Sequence, residues 1–183
     1  MRTCGPCTAC CTVIPVEQIG KPAASRCTHE MRLPELKIGC RIYATRPASC
    51  RTWSCVWHDN LSFPDALRPS ICGVIFDPAP DLVRLNGKET AVAQAWILPG
   101  FEEAWKYNAN VGGAIRAIVD AGLPVLLRYP PAVPGGPGRS QTAVKGPDGR
   151  LALTRVFEEN EAFARGEPTA QRLARAARLV GGM

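Results

Sequence analysis

Residues 4–11 read CGPCTACC, placing Cys4, Cys7, Cys10 and Cys11 within eight positions, and this stretch decides how the first third of the chain folds. Cys4 and Cys7 form a C-x-x-C knuckle, the spacing at which two sulfurs reach one ion. Gly5 permits the tight turn between them, and backbone amides inside such a turn can donate to thiolates. Cys7 and Cys10 repeat the spacing at once, and Cys11 follows directly. Neighbours in an irregular backbone point different ways, so the Cys10–Cys11 pair predicts more than one ion held close together. Further out come Cys27, Cys40, Cys50 and Cys55. They are spread over separate loops, as a folded cluster requires and an unstructured chelating tail does not.

The chain has 183 residues and nine cysteines. The ninth, Cys72, is the last. An odd count, tight spacings and a start (MRTCGPCTACC) without an apolar run all oppose a secreted disulfide framework. The same features predict a cytoplasmic protein whose clustered thiols hold metal. No apolar run is long enough to span a bilayer. The formal charge of +6 invites a nucleic-acid reading, but metal ligands are thiolates. Eight thiolates on two divalent ions would carry four negative charges and leave only +2. Charge is therefore no argument for nucleic acid, and no C-x2–4-C…H-x3–5-H finger is present.

Residues 40–55 read CRIYATRPASCRTWSC. With the C-x-x-C-x-x-C-C opening and the isolated Cys27, this block resembles the zinc- or iron-chelating family named for its CxxCxxCC motif. The resemblance covers residues 4–58. It implies that Cys4, Cys7, Cys10, Cys11, Cys27, Cys40, Cys50 and Cys55 are metal ligands. It supplies a cofactor class and not a reaction, although some family members are associated with protein methylation.

Eight thiolates satisfy two tetrahedral zinc sites or two four-iron clusters. Nine with bridging sulfurs would suit three zinc ions, if Cys72 folds back; the simpler reading makes Cys72 a small buried hydrophobe on a strand over 71–76. Zn2+ is favoured over iron or a [4Fe-4S] cluster, because neither ferredoxin cysteine run is present. His29 and His58 lie beside ligands, but eight sulfurs leave little need for them. Arg46 and Arg51 can offset thiolate charge, while Trp53 and Trp57 suit an apolar cover for the cluster.

The composition predicts an α+β fold: a cysteine-rich lobe over residues 1–70, and a small antiparallel sheet with helices over 71–183, the two forming one compact unit. The lobe reads as loops with a helix in 15–24 or 30–36. It has few aliphatic residues, so it needs cross-linking to hold a shape. In the body, strands are expected at 71–76, 81–85, 88–98 and 125–129, with Asn86-Gly87 as a hairpin turn. A helix is expected over 101–121, bent at Gly112-Gly113 and ended by Gly122. A second hairpin flanks residues 146–149, after a Pro/Gly-rich loop at 130–139, and helices follow at 158–165 and 169–180. Arg172, Arg175 and Arg178 form a solvated stripe on the last of these, and Glu158, Glu159 and Glu161 complement a helix dipole. Asp77 and Asp81 flank a Pro-Ala-Pro turn without a pocket to make them an acid–base pair. No G-x-G-x-x-G, Walker A or G-x-S-x-G pattern occurs. Metal binding with a structural or metal-handling role leads; an iron–sulfur redox protein or enzyme, and a zinc-finger-like nucleic-acid binder, follow.

Overall fold

The computed structural model describes residues 2–4, 7–32, 38–132, 138–154 and 157–158, with the isolated positions 174 and 178. The helices expected at 158–165 and 169–180, the core of the Pro/Gly-rich loop, and Glu159, Glu161, Arg172 and Arg175 lie outside these residues. The fold is α+β. Its N-terminal lobe contains helix α1 (Ala9–Val13), strands β1 (Glu30–Arg32) and β2 (Ile38–Cys40), and helices α2 (Ala48–Thr52), α3 (Val56–Asp59) and α4 (Pro69–Cys72). The body consists of β3 (Val74–Leu85), β4 (Lys88–Ile97), α5 (Ala104–Tyr107), α6 (Ala109–Asp120), β5 (Val125–Tyr129), β6 (Arg139–Lys145), β7 (Leu151–Leu153) and β8 (Phe157–Glu158).

Strand order in the main sheet is β3-β4-β5-β6-β7, with β8 on the free end of β6. The sheet is mixed, because β4 and β5 run parallel while its other pairs are antiparallel. A parallel pair needs a crossover, and α5 and α6 provide it. The two short strands expected on either side of Pro78-Ala79-Pro80 are one strand, β3, with a register shift between Asp77 and Asp81. Prolines cannot donate to a ladder, and an edge strand tolerates them at a bulge. Asn86 and Gly87 both have positive φ, 49° and 78°, as a two-residue hairpin turn requires.

In the lobe, the expected 15–24 helix is reduced to a 3-10 turn, Glu17–Ile19, closed by reciprocal backbone bonds between Val16 and Lys21. Residues 30–32 form a strand, not a helix, pairing Glu30 with Cys40. The crossover helix breaks at Asn108 and not at Gly112-Gly113. The Asn108 side-chain oxygen accepts from Asn110 N at 3.0 Å and Val111 N at 3.3 Å, a cap that outweighs continuation of α5. Gly112 serves proximity instead, since a Cβ there would lie 2.8 Å from the Trp105 carbonyl oxygen.

Val111, Ile115 and Val119 of α6 recur every four residues and are buried against Val74, Phe76, Ala95, Ile97, Val125, Leu127 and Ala143. Each such side chain contributes about 1.5–3 kcal/mol. The lobe enters this core through Trp57, Leu67 and Cys72, and Phe63 meets Phe76 edge-on at 5.5 Å. On the other face of β3, Ile75 meets Ala9 and Val13 of α1. Among the described residues, no helix is long and apolar enough to cross a membrane.

The passage from α4 to β3 is set by Gly73, at φ +72°, where an added Cβ would fall 1.9 Å from the Phe101 ring. Gly73→Ala is therefore expected to destabilise the chain by about 2 kcal/mol or more, combining left-handed strain with overlap. Chemical denaturation checks this; an unchanged midpoint would show that Phe101 is not seated there.

Candidate metal centre

All nine cysteines are free thiols. Eight of them are carried by short elements gathered around α1, and each element is held there by identifiable bonds. Cys7 N donates to Cys4 O at 2.9 Å, closing the knuckle, and Cys10 and Cys11 lie within α1 itself. The loop bearing Cys27 is tied to α1 by Ala24 N to Val13 O and Cys27 N to Cys11 O, both 2.8 Å. Glu30, opposite Cys40 in the ribbon, accepts from Thr8 Oγ1 at 2.6 Å and from Arg26 Nε at 2.7 Å. Gln18 Oε1 accepts from Ser49 Oγ at 2.8 Å and so docks α2, which carries Cys50, onto the 3-10 turn. Cys55 is the N-cap of α3 and touches both hydrophobic clusters.

Electrostatic influence links the thiols in two overlapping sets that meet at α1. Cys4 and Cys7 act on Cys10 and Cys55, while Cys11, Cys27 and Cys40 act on Cys50; Cys11 also acts on Cys4 and Cys10. The seam is the Cys10–Cys11 pair. The two thiols do not diverge as expected: on a helix neighbours stand only about 100° apart, and the Cys10 thiol donates to the Cys11 sulfur. That bond pushes Cys10 well above the ordinary thiol range and lowers Cys11 to about 7. Burial raises Cys4, Cys50 and Cys55, and the charges of Arg46 and Arg68 pull Cys4 partly back.

Basic side chains stand among the thiols, and only one of the three was marked by its sequence context. Lys21 is 6% exposed; its ammonium donates to the Ile14 carbonyl and lies within the field of Cys10, Cys11, Cys27 and Cys50. Burial lowers its pKa and those sulfurs oppose the shift. Arg68 Nη2 donates to Cys4 O at 2.7 Å, and Arg46 lies 3.9 Å over the Tyr43 ring. Among the described residues, the buried nitrogens Arg46 Nε, Arg68 Nε and Trp57 Nε1 have no hydrogen-bond partner. Arg2 and Arg68 sit 4.9 and 5.2 Å from the Trp57 ring centroid. Arg2 also donates to the carbonyls of Trp57, Asn60, Leu61 and Phe63, fixing the loop after α3. Arg51 is exposed.

The remaining residues singled out by sequence take plainer places. His58 Nδ1 is 2.7 Å from Asp59 Oδ1, and His29 is half-buried beside the ribbon. Cys72 is 1% exposed at the end of α4 and not on the strand expected over 71–76, which begins only at Val74; its thiol donates to Val74 O at 3.3 Å, and burial raises it to about 11. Trp53, like Cys7, Cys10 and Cys55, packs against the cluster of Ala9, Val13 and Ile75. Asp77 accepts from the indoles of Trp53 at 3.2 Å and Trp96 at 3.1 Å. Asp81 is ion-paired with buried Arg128, so Asp77 and Asp81 are structural acceptors.

Among the described residues, no group of three or more His, Cys, Asp or Glu side chains stands ready to hold a metal ion. The thiols are neighbours without converging on one point. The donor chemistry nonetheless fits a soft cation: sulfur ligands with positive charge nearby. No family model matches the chain, and no curated protein or solved structure is matched by it.

For the metal-free chain, the Cys10–Cys11 bond has a titration signature. Ionised Cys11 is favoured by folding, a stabilisation lost as pH falls through about 7; protonated Cys10 is favoured too, a stabilisation lost as pH rises through its raised value. The pair should release its first proton near pH 7, seen in thiolate ultraviolet absorbance. Cys10→Ala should return that step toward the ordinary thiol range. An unchanged step would rule out the Cys10 donor as its cause.

Proposed function

We propose that this chain is a metal-binding protein that holds two zinc ions through eight thiolates, with a structural or metal-handling role. The first ion is assigned to Cys4, Cys7, Cys10 and Cys55, and the second to Cys11, Cys27, Cys40 and Cys50. What supports this reading is the gathering of these eight thiols into two overlapping sets around α1, with Lys21, Arg46 and Arg68 set among them. Two four-thiolate zinc sites carry four negative charges, and three fixed cations offset most of them. The resemblance of residues 4–58 to the CxxCxxCC family points the same way. Cys72 is left out because its thiol is already bonded to Val74 O.

Binding draws sulfurs in to about 2.3 Å from each ion. Cys7, Cys10 and Cys55 already pack against the cluster of Ala9, Val13 and Ile75, whereas Cys27, Cys40 and Cys50 lie on a loop, on β2 and on α2. The bonds that dock the loops would then be reinforced by the ions, since such binding is linked to folding.

Protein isolated anaerobically without added metal is expected to contain about two zinc ions per chain, by the count of four thiolates each, and to be colourless. Cys50→Ser and Cys55→Ser should each lose one ion and keep the other. Removing zinc with a chelator should expose the backbone amides of residues 24–52 to hydrogen exchange while β4 and β5 stay protected. A brown protein with stoichiometric iron and sulfide would replace zinc with an iron–sulfur cluster; protein free of metal would end the reading.

A further inference from the structure

The main sheet has two faces, and α6 covers the one to which Val125, Leu127 and Ala143 point. Val92, Gln94, Leu126, Arg128, Ser140 and Thr142 stand on the other by strand alternation, since Gln94 pairs with Leu126, Leu126 with Thr142 and Arg128 with Ser140. Asp81, level with Val92 on β3, shares this face and forms its ion pair with Arg128 there. All are buried; Val92 is 0% exposed and Leu126 5%. A side chain on an open sheet face keeps much of its surface in water, so values this low require something laid across it. Among the described residues, the lobe reaches this face at one corner, where Ala9 and Val13 meet Ile75 beside Trp53 and Trp96. Val92 and Leu126 belong to neither apolar cluster, and α6 is the described helix that packs on β5 and β6. These exposures are those of a single chain, so the cover belongs to the chain itself.

We infer that residues 159–183 dock across this second face, through the side that carries Leu173, Ala176 and Val180. The chain delivers the segment to the matching edge: β8 pairs Phe157 with Ser140 and Glu158 with Arg139, so residue 159 follows directly beside the face that Ser140 and Thr142 line. The reach is sufficient. A helix over 169–180 is about 18 Å long at about 1.5 Å per residue, and β6 to β3 is three strand spacings, about 14 Å. At about 3.6 residues per turn, Leu173, Ala176 and Val180 share one side, with Ala177 and Leu179 on its flanks. Ala174 and Arg178, the described positions of this segment, are helical and exposed, and both fall away from that side. An apolar side suits Val92 and Leu126, because polar groups between them are engaged within the sheet: Arg128 with Asp81 and Gln94, and Gln94 Nε2 with Ala79 O. Residues 33–37 and 133–137 connect adjacent antiparallel strands, which leaves them no length to cross the sheet.

The test uses the full-length chain as isolated, so its outcome is independent of the metal-binding reading. A photoreactive benzophenone amino acid replaces Val144, half-buried on the same face two residues beyond Thr142. In a separate preparation it replaces Lys145, which points to the α6 side through its ion pair with Asp120. After irradiation and proteolysis, mass spectrometry should join position 144 to a peptide from residues 159–183, and position 145 to none of them. Isotope-labelled and unlabelled chains are mixed beforehand. Cross-links within one isotope support the inference; cross-links of mixed isotope assign the face to a second copy and overturn it. No cross-link from 144 to 159–183, or equal yields from 144 and 145, would overturn it as well. Hydrogen exchange supplies an independent measurement. Leu173→Asp should accelerate exchange of the β5 and β6 amides about tenfold or more over Ala174→Asp, a change at a position already exposed. Equal rates in the two variants would count against the docked segment just as decisively.

Discussion

The first residues of β3 alternate between two faces, and the same N-terminal segment covers both. Ile75 points to α1, where Ala9 and Val13 receive it, while Val74 and Phe76 point to the core that Trp57, Leu67 and Cys72 complete. A strand with edge position needs cover, and a lobe poor in aliphatic residues needs a core. Each meets the other's need. This two-sided contact fixes α1 and α3 relative to each other, and with them Cys7, Cys10 and Cys55. Asp77 reinforces it from the next position on the strand by binding one indole from the lobe and one from β4.

That contact changes how far the lobe would depend on metal for its shape. A segment without a core would depend on ions for any shape at all. Here the half nearest β3 is pre-built, with Arg2 stitching the Trp57 carbonyl of α3 to three carbonyls after it. The half that holds Cys27, Cys40 and Cys50 depends on local polar ties through Gln18, Glu30 and Lys21. Exposed or half-exposed hydrogen bonds of this kind contribute about 0.5–1.5 kcal/mol each. Under the proposed two-ion reading, one ion would dock onto this formed surface and the other would reinforce the polar ties.

Much of the body was legible because its signals are local. Asn86-Gly87 demands positive φ at two successive positions, and alternation marks β4 up to Ile97. The parallel β4–β5 pair was not legible, since strand direction depends on where a crossover returns and not on strand composition. The Asn108 cap was hidden for a related reason: a helix reading from apolar spacing runs through a residue that satisfies it only as a cap. In the lobe, cysteine spacing named the candidate ligands but not their grouping. Lys21 carried no signal, because what distinguishes it is burial among residues up to twenty-nine positions away. Arg68 likewise reaches back sixty-four positions to Cys4.

The placement of charge links these observations. The formal +6 could describe a surface that attracts polyanions. Several of its contributors instead point inward: Lys21 to buried carbonyls, Arg2 to a loop, Arg68 to Cys4 O, and Arg128 to Asp81 beneath the Trp96 ring. Burying cations is costly unless negative charge or strong acceptors accompany them. Carbonyls and Asp81 meet that requirement for Arg2 and Arg128. Lys21 and Arg68 likewise have carbonyl acceptors, and Arg46 and Arg68 lie over aromatic rings; thiols also stand in the field of all three, and these balance a cation only when ionised. If the thiols bind a cation as proposed, they ionise on it, and Lys21, Arg46 and Arg68 would then offset the charge of the anionic product.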